Sequence, residues 1–268
     1  MNKKIRKLVE STQDLFKRVS HPNGGILACD IWTHYPRDVQ WYGFVWPRDA
    51  SFTCVASMIL KNFKIPKRFF EWVYECEGIK EVGIFISHRY YPNGMVAGDH
   101  HVYMKKPSIS TFIRKAVKKR SVAVSFQFQP DQVGEVIWAI KEYIDRKTVD
   151  FEDLVEKLAD GICRFWKNGH FSLPIKDIWE EIWLYPRMRS NFPVTLAFCA
   201  FGLKIAMELL GKRRQWERTY KQMVHIIENS FSTRLGYFPK VFGNKNVSRL
   251  DSSLLAIAWP TNIVSVDD

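Results

Sequence analysis

The sequence predicts an all-α fold, and three observations carry that reading. Apolar residues recur at helical spacing through most of the chain, and long loops rich in Gly, Pro and Asn separate the helical stretches. Neither a βαβ alternation nor a repeat of roughly 20–50 residues is visible. The composition suits a globular chain: of 268 residues, 46% are hydrophobic and 25% charged, which excludes a disordered or fibrous protein. That length accommodates one large domain or two small ones around a sizeable core.

Taken in order, residues 4–18 carry Ile5, Leu8, Val9, Leu15 and Phe16 at helical spacing and break at His21-Pro22-Asn23-Gly24-Gly25. Residues 26–48 read as irregular or extended and close with the aromatic run Trp41-Tyr42-Gly43-Phe44-Val45-Trp46. A helix is predicted from Asp49 to about Lys61, and another after Pro66. Residues 79–128 are rich in loops, with Tyr91-Pro92-Asn93-Gly94 as a turn signal. Further helices are predicted over about 131–146, 150–167, 193–210 and 213–230. Gly236, Gly243 and Asn244 mark the break before a last one at about 251–258.

No stretch offers the roughly 18–20 uninterrupted apolar residues of a membrane span. The first 16 residues lack an apolar core with a small-residue cleavage site. The five cysteines, Cys29, Cys54, Cys76, Cys163 and Cys199, are scattered without CxxC spacing, so neither zinc nor a disulfide framework is indicated. The expectation is a soluble, cytoplasmic protein with reduced, largely buried thiols. The formal charge of +12 is spread along the chain, apart from Arg114, Lys115, Lys118, Lys119 and Arg120. That cluster reads as a solvated face or, alternatively, a polyanion site. Without a nucleic-acid motif, no nucleic-acid partner is expected. Aromatic residues, at 15%, suit a core and also surfaces that stack on ring-shaped ligands.

Several clusters could carry chemistry. Trp46-Pro47-Arg48-Asp49 sets an Arg/Asp pair beside an indole at a helix entrance. Asp49 reads either as the helix N-cap or, with Arg48, as a grip on vicinal sugar hydroxyls. Asp177-Ile178-Trp179-Glu180-Glu181 places carboxylates around a Trp. They are either favourable charges in a first helical turn or a source of one raised pKa, as a general acid requires. In Gln129-Pro130-Asp131 through Trp138, Asp131 either caps the following helix or faces a polar pocket, and Glu135 reads as structural. His100 and His101 are adjacent, so their side chains diverge and a metal site is not expected.

Five blocks in chain order, Tyr42 to Ala50, Tyr91-Pro92-Asn93-Gly94, Gln129 to Trp138, Asp177-Ile178-Trp179-Glu180-Glu181 and Leu250-Asp251-Ser252-Ser253-Leu254-Leu255, resemble glycoside hydrolase family 15, which contains glucoamylases, glucodextranases and some microbial trehalases. The resemblance implies an (α/α)6 toroid. It implies that Arg48 and Asp49 bind the terminal sugar, with Trp46 part of the wall and Trp179, also substrate-binding, the aromatic neighbour of the general acid. Glu180 looks like the general acid and Glu181 a sugar ligand. His101 and Asp131 are weaker substrate-binding candidates, and Tyr42 and Gln129 pocket-lining ones. The implied reaction is inverting hydrolysis of terminal α-glucosidic bonds in a maltooligosaccharide or trehalose-like substrate. It needs an acid and a base carboxyl roughly 6.5–9.5 Å apart.

The departures shape two further expectations. Ile182-Trp183-Leu184-Tyr185-Pro186-Arg187 follows the acid block, where relatives carry an Arg/Gly/His-containing stretch. The family's base lies beyond the block at Leu250–Leu255, and about seven or eight helices are read where the toroid has twelve. Residues 1–268 are therefore expected to be a partial catalytic domain whose base is missing; either a second chain completes the ring, or the chain is one piece of a split or truncated gene, or it closes differently. The alternative is a silent carbohydrate-binding remnant. No cofactor and no membrane partner is implied.

Overall fold

The computed structural model describes residues 2–31, 42–97, 128–147, 151–179, 191–242 and 250–265. Helices dominate these residues. Helix α1, Lys3–Val19, starts where Asn2 accepts the Lys4 N–H at 2.9 Å and ends with Lys17 and Arg18 in its last turn, which suits the helix dipole. Ile5 and Leu8 on its apolar stripe remain exposed, while Val19 enters the core.

Helix α2 spans Pro47–Ile59. It begins two residues before the predicted Asp49, because Pro at a first helical position needs no N–H partner and has the right φ. Asp49 is thus a favourable charge in the first turn, not the N-cap, which is Trp46. Helix α3, Lys64–Glu75, tolerates Pro66 for the same reason. It buries Phe69, Phe70, Trp72 and Val73, and Phe69 and Trp72 stack with centroids 5.5 Å apart. The short α4, Ile79–Val82, interrupts the predicted loop region.

The core is built on α5, Asp131–Ile144, and α7, Pro193–Leu210. These helices cross through glycine. A Cβ on Gly134 would stand 2.0 Å from the Phe198 carbonyl oxygen, and one on Gly202 would stand 2.8 Å from the Gly134 Cα. Helix α7 has the length and apolarity of a membrane span, but 67% of it is buried inside the fold. It is a core helix here. Helix α6, Glu152–Phe165, buries Leu154, Val155, Leu158, Ala159 and Ile162. Helix α8, Arg214–Glu228, buries Trp216, Thr219, Met223 and Ile227. Both show the one-sided spacing of amphipathic helices, and Trp216 donates to Asp160 at 2.7 Å across them.

Two local features escape the sequence reading. Strands β1, Trp166–Lys167, and β2, His170–Phe171, form a small antiparallel hairpin after α6. The last predicted helix is a 3-10 helix, Ser252–Ile257, capped by Asp251. All five thiols are free, and four of them are buried. The predicted turn is present: Gly94 N–H donates to the Tyr91 carbonyl at 2.9 Å, and Tyr90 bridges both Val45 and Val96. That ladder brings residues 87–90 alongside the entrance of α2.

Candidate functional site

A cleft of about 530 Å³ opens at the N-terminal end of α2. Ala28, Tyr42, Trp46, Arg48, Asp49, Arg89, Ile178 and Trp179 line it. Arg48 is its anchor. Its guanidinium donates through Nη1 to Asp131 Oδ2 at 2.7 Å, and through Nη2 to Gln129 Oε1 at 3.1 Å and the Ile178 carbonyl at 3.0 Å. Of the five N–H donors of an arginine, two are therefore left for a ligand among the described residues.

Asp131 does not line the cleft. It is fully buried as the first residue of α5, with Pro130 at the cap, and acts on Arg48 from below. Gln129 is buried beside it and also donates to the Asp177 carbonyl at 3.1 Å. Gln132 donates to the Ser87 carbonyl at 3.2 Å and to the Gln129 carbonyl at 3.1 Å, which ties the residue 87 segment to the start of α5.

Glu135 lies one helical turn after Asp131 and is completely buried; neither carboxyl oxygen has a hydrogen-bond partner among the described residues. Burial, reinforced by the Asp131 charge, pushes the Glu135 carboxyl well above the usual range. Burial also raises Asp131, against the pull of Arg48. Burial opposes the Arg48 charge, yet Asp131, Glu135 and Asp49 outweigh it and leave the guanidinium raised. Asp49 keeps a surface open to solvent, and desolvation raises its carboxyl while neighbouring Arg48 lowers it.

The aromatic wall is Trp46, with Tyr42 tilted against it at 6.0 Å and buried His88 edge-on at 6.1 Å. Arg89 lies over the Phe44 ring at 4.9 Å and over Trp46 at 6.0 Å. Burial, then the charges of Arg89, Arg48 and Lys176, lowers His88 to about 3, so its ring is neutral. Trp179, also on the cleft, is 54% exposed and donates its indole N–H to Asp251 at 2.8 Å. Asp177 is buried and paired with Lys240 at 2.7 Å, and residues 178–179 form a turn.

The structure thus gathers Trp46, Arg48, Asp49 and Trp179, with Tyr42, on one cleft and sets Asp131 and Gln129 beneath it. Glu180, Glu181, His101 and the basic cluster at 114–120 lie outside the described residues. The sequence reading missed His88, Arg89 and Lys240; the only signal was that His88 and Arg89 precede a clear turn. Among the described residues, no group of three His, Cys, Asp or Glu side chains could hold a metal ion. A second cavity of about 520 Å³, between the end of α6 and α8, holds none of the candidates.

No protein-family model matches the chain. It is 24% identical over 273 aligned positions to a protein named as an uncharacterized glycosyl hydrolase from Methanocaldococcus jannaschii. That alignment covers 100% of this chain and 38% of the relative, so the chain spans well under half of the relative's length. Among solved structures, a variant named Glycosidase matches with a TM-score of 0.70 at 17% identity, covering 100% of this chain and 68% of the other. Its wild type matches at 0.66 and 16% identity, and a variant in complex with glucose at 0.67 and 17%, each with the same coverage. The chain shares the fold of these glycosidases.

Proposed function

We propose that this chain carries the sugar-binding face of a glucoamylase-type glycoside hydrolase. Its substrates are maltooligosaccharides or trehalose-like glucosides, and terminal α-glucosidic bonds are cleaved with inversion. The observation that carries the reading is the anchored Arg48: a guanidinium held by three hydrogen bonds, next to Asp49 in a cleft that two indoles also line. Planar donors next to a carboxylate suit vicinal hydroxyls, and indole faces suit the apolar faces of a pyranose. The relative named a glycosyl hydrolase and the fold shared with glycosidases support the same class.

In this reading Glu180, next to Trp179, protonates the leaving oxygen, and Glu181 and His101 contact sugar. Asp131 and Glu135 are too deeply buried to activate water. The base therefore comes from outside the described residues, in the whole protein or from a second chain that completes an (α/α)6 ring.

Calorimetric titration with maltose and a maltotriose hydrolysis assay test this. The parent protein should bind, and Arg48→Ala should weaken binding at least about tenfold, as expected for losing charged hydrogen bonds. Glu180→Gln should bind normally and lose hydrolysis. Equal binding by Arg48→Ala would overturn the subsite. Binding without hydrolysis even when the chain that completes the ring is supplied would select the silent carbohydrate-binding reading.

A further inference from the structure

Lys240 is only 4% exposed, and buried lysines need strong pairing. It sits where the chain returns from the turn bridged by Ser232 and Tyr237. Its ammonium lies 2.7 Å from Asp177 Oδ2 and 3.1 Å from Asp251 Oδ2. Asp251 also accepts the Trp179 indole N–H at 2.8 Å and the Ser253 N–H at 2.9 Å. One cation therefore joins the cleft wall to the residue that caps the 3-10 helix.

The effect falls on three consecutive residues. Asp177 is held by its side chain to Lys240 and by its carbonyl to Gln129. Ile178 is held by its carbonyl to Arg48, and Trp179 by its indole nitrogen to Asp251. A buried ion pair is a weak source of net stability, because desolvation offsets the attraction. What these charges supply here is direction. With its N–H consumed by Asp251, the exposed Trp179 ring is tethered on the cleft wall and has no donor left to offer.

We propose that Lys240 and Asp251 are positioning residues that act through Trp179, fixing its ring for sugar stacking and the backbone that leads into Glu180. This rests on the sugar-binding reading of the cleft.

The test is a double-mutant cycle read by maltose affinity, with acrylamide quenching of Trp179 as a second readout. Lys240→Met and Trp179→Phe should each weaken maltose binding about fivefold to tenfold. The double variant should be no weaker than Trp179→Phe alone, and Lys240→Arg should restore most of the loss. Quenching, taken as the difference with and without Trp179→Phe, should rise in Lys240→Met. Asp251→Asn keeps an acceptor for the indole and should fall between parent and Lys240→Met, which covers the case of a poorly folding Lys240→Met.

The proposal is overturned if Lys240→Met costs as much in the Trp179→Phe background as in the parent, or if Trp179 quenching is unchanged. If the parent and Arg48→Ala both fail to bind maltose, the sugar-binding reading falls, and the quenching comparison alone decides whether Lys240 orients Trp179.

Discussion

Arg48 and Asp131 lie 83 positions apart in sequence and meet at 2.7 Å, the carboxylate fully buried and the guanidinium side chain 15% exposed. Removing one partner of such a pair strands the other charge in the interior. Asp131→Asn should therefore lower stability by about 3 kcal/mol and weaken maltose binding by loosening Arg48. Urea unfolding and calorimetry check this. A loss below about 1 kcal/mol would mean that water already reaches the pair.

His88 is held neutral, its pKa lowered to about 3 by burial and by Arg89, Arg48 and Lys176. The unfolded chain binds a proton near pH 6.5 and the folded chain does not, so stability is complete above pH 6.5 and falls as the pH drops towards 3. His88→Gln removes this contribution. Its stability relative to the parent should improve by up to about 1.4 kcal/mol per pH unit on acidification below 6.5. Parallel urea titrations at pH 7 and 5 measure the difference, and a constant gap would contradict the assignment.

Glu135 should give the opposite slope. Burial raises its carboxyl well above the usual range, so the folded chain keeps a proton that the unfolded chain releases above roughly pH 4.5. Its contribution is full below that pH and is lost as the pH rises through the folded value. Glu135→Gln imitates the protonated group and should gain on the parent as the pH rises from 5 to 8. A flat difference across that range would place an ionised carboxylate in the interior.

Gly134→Ala opposes two effects. Helix propensity alone favours Ala by about 1 kcal/mol. The added methyl would meet the Phe198 carbonyl at 2.0 Å, and backbone cannot yield as a side-chain tip does. The clash should win, with a net loss of about 3 kcal/mol by chemical denaturation. A more stable variant would show that α5 and α7 cross further apart.

Helices were legible wherever both ends carried chemistry. Helix α7 spans Pro193–Leu210, as expected from Pro at its first position and Gly211 just beyond it. The start of α2 was misread because Asp49 resembles a cap, whereas Pro47 opens the helix with no side-chain cap at Trp46. Nothing in the block at 177–181 marks Asp177 for burial against Lys240; that pairing depends on a residue 63 positions away. Trp46, Arg48, Asp49 and Trp179 converge on one cleft, while Asp131 turned out to lie beneath it. His88, Arg89 and Lys240 carry no local signature. Their roles come from what the fold places opposite them, and single-residue patterns do not encode that.

The bond from Arg48 to the Ile178 carbonyl spans 130 residues, and the one from Trp179 to Asp251 spans 72. Such long loops close at an entropic cost that local helix contacts do not bear, so they join late. On the proposed sugar-binding reading, maltose affinity should then gauge completed folding: helicity is expected to appear first, and affinity only once the stretch around Asp251 has docked.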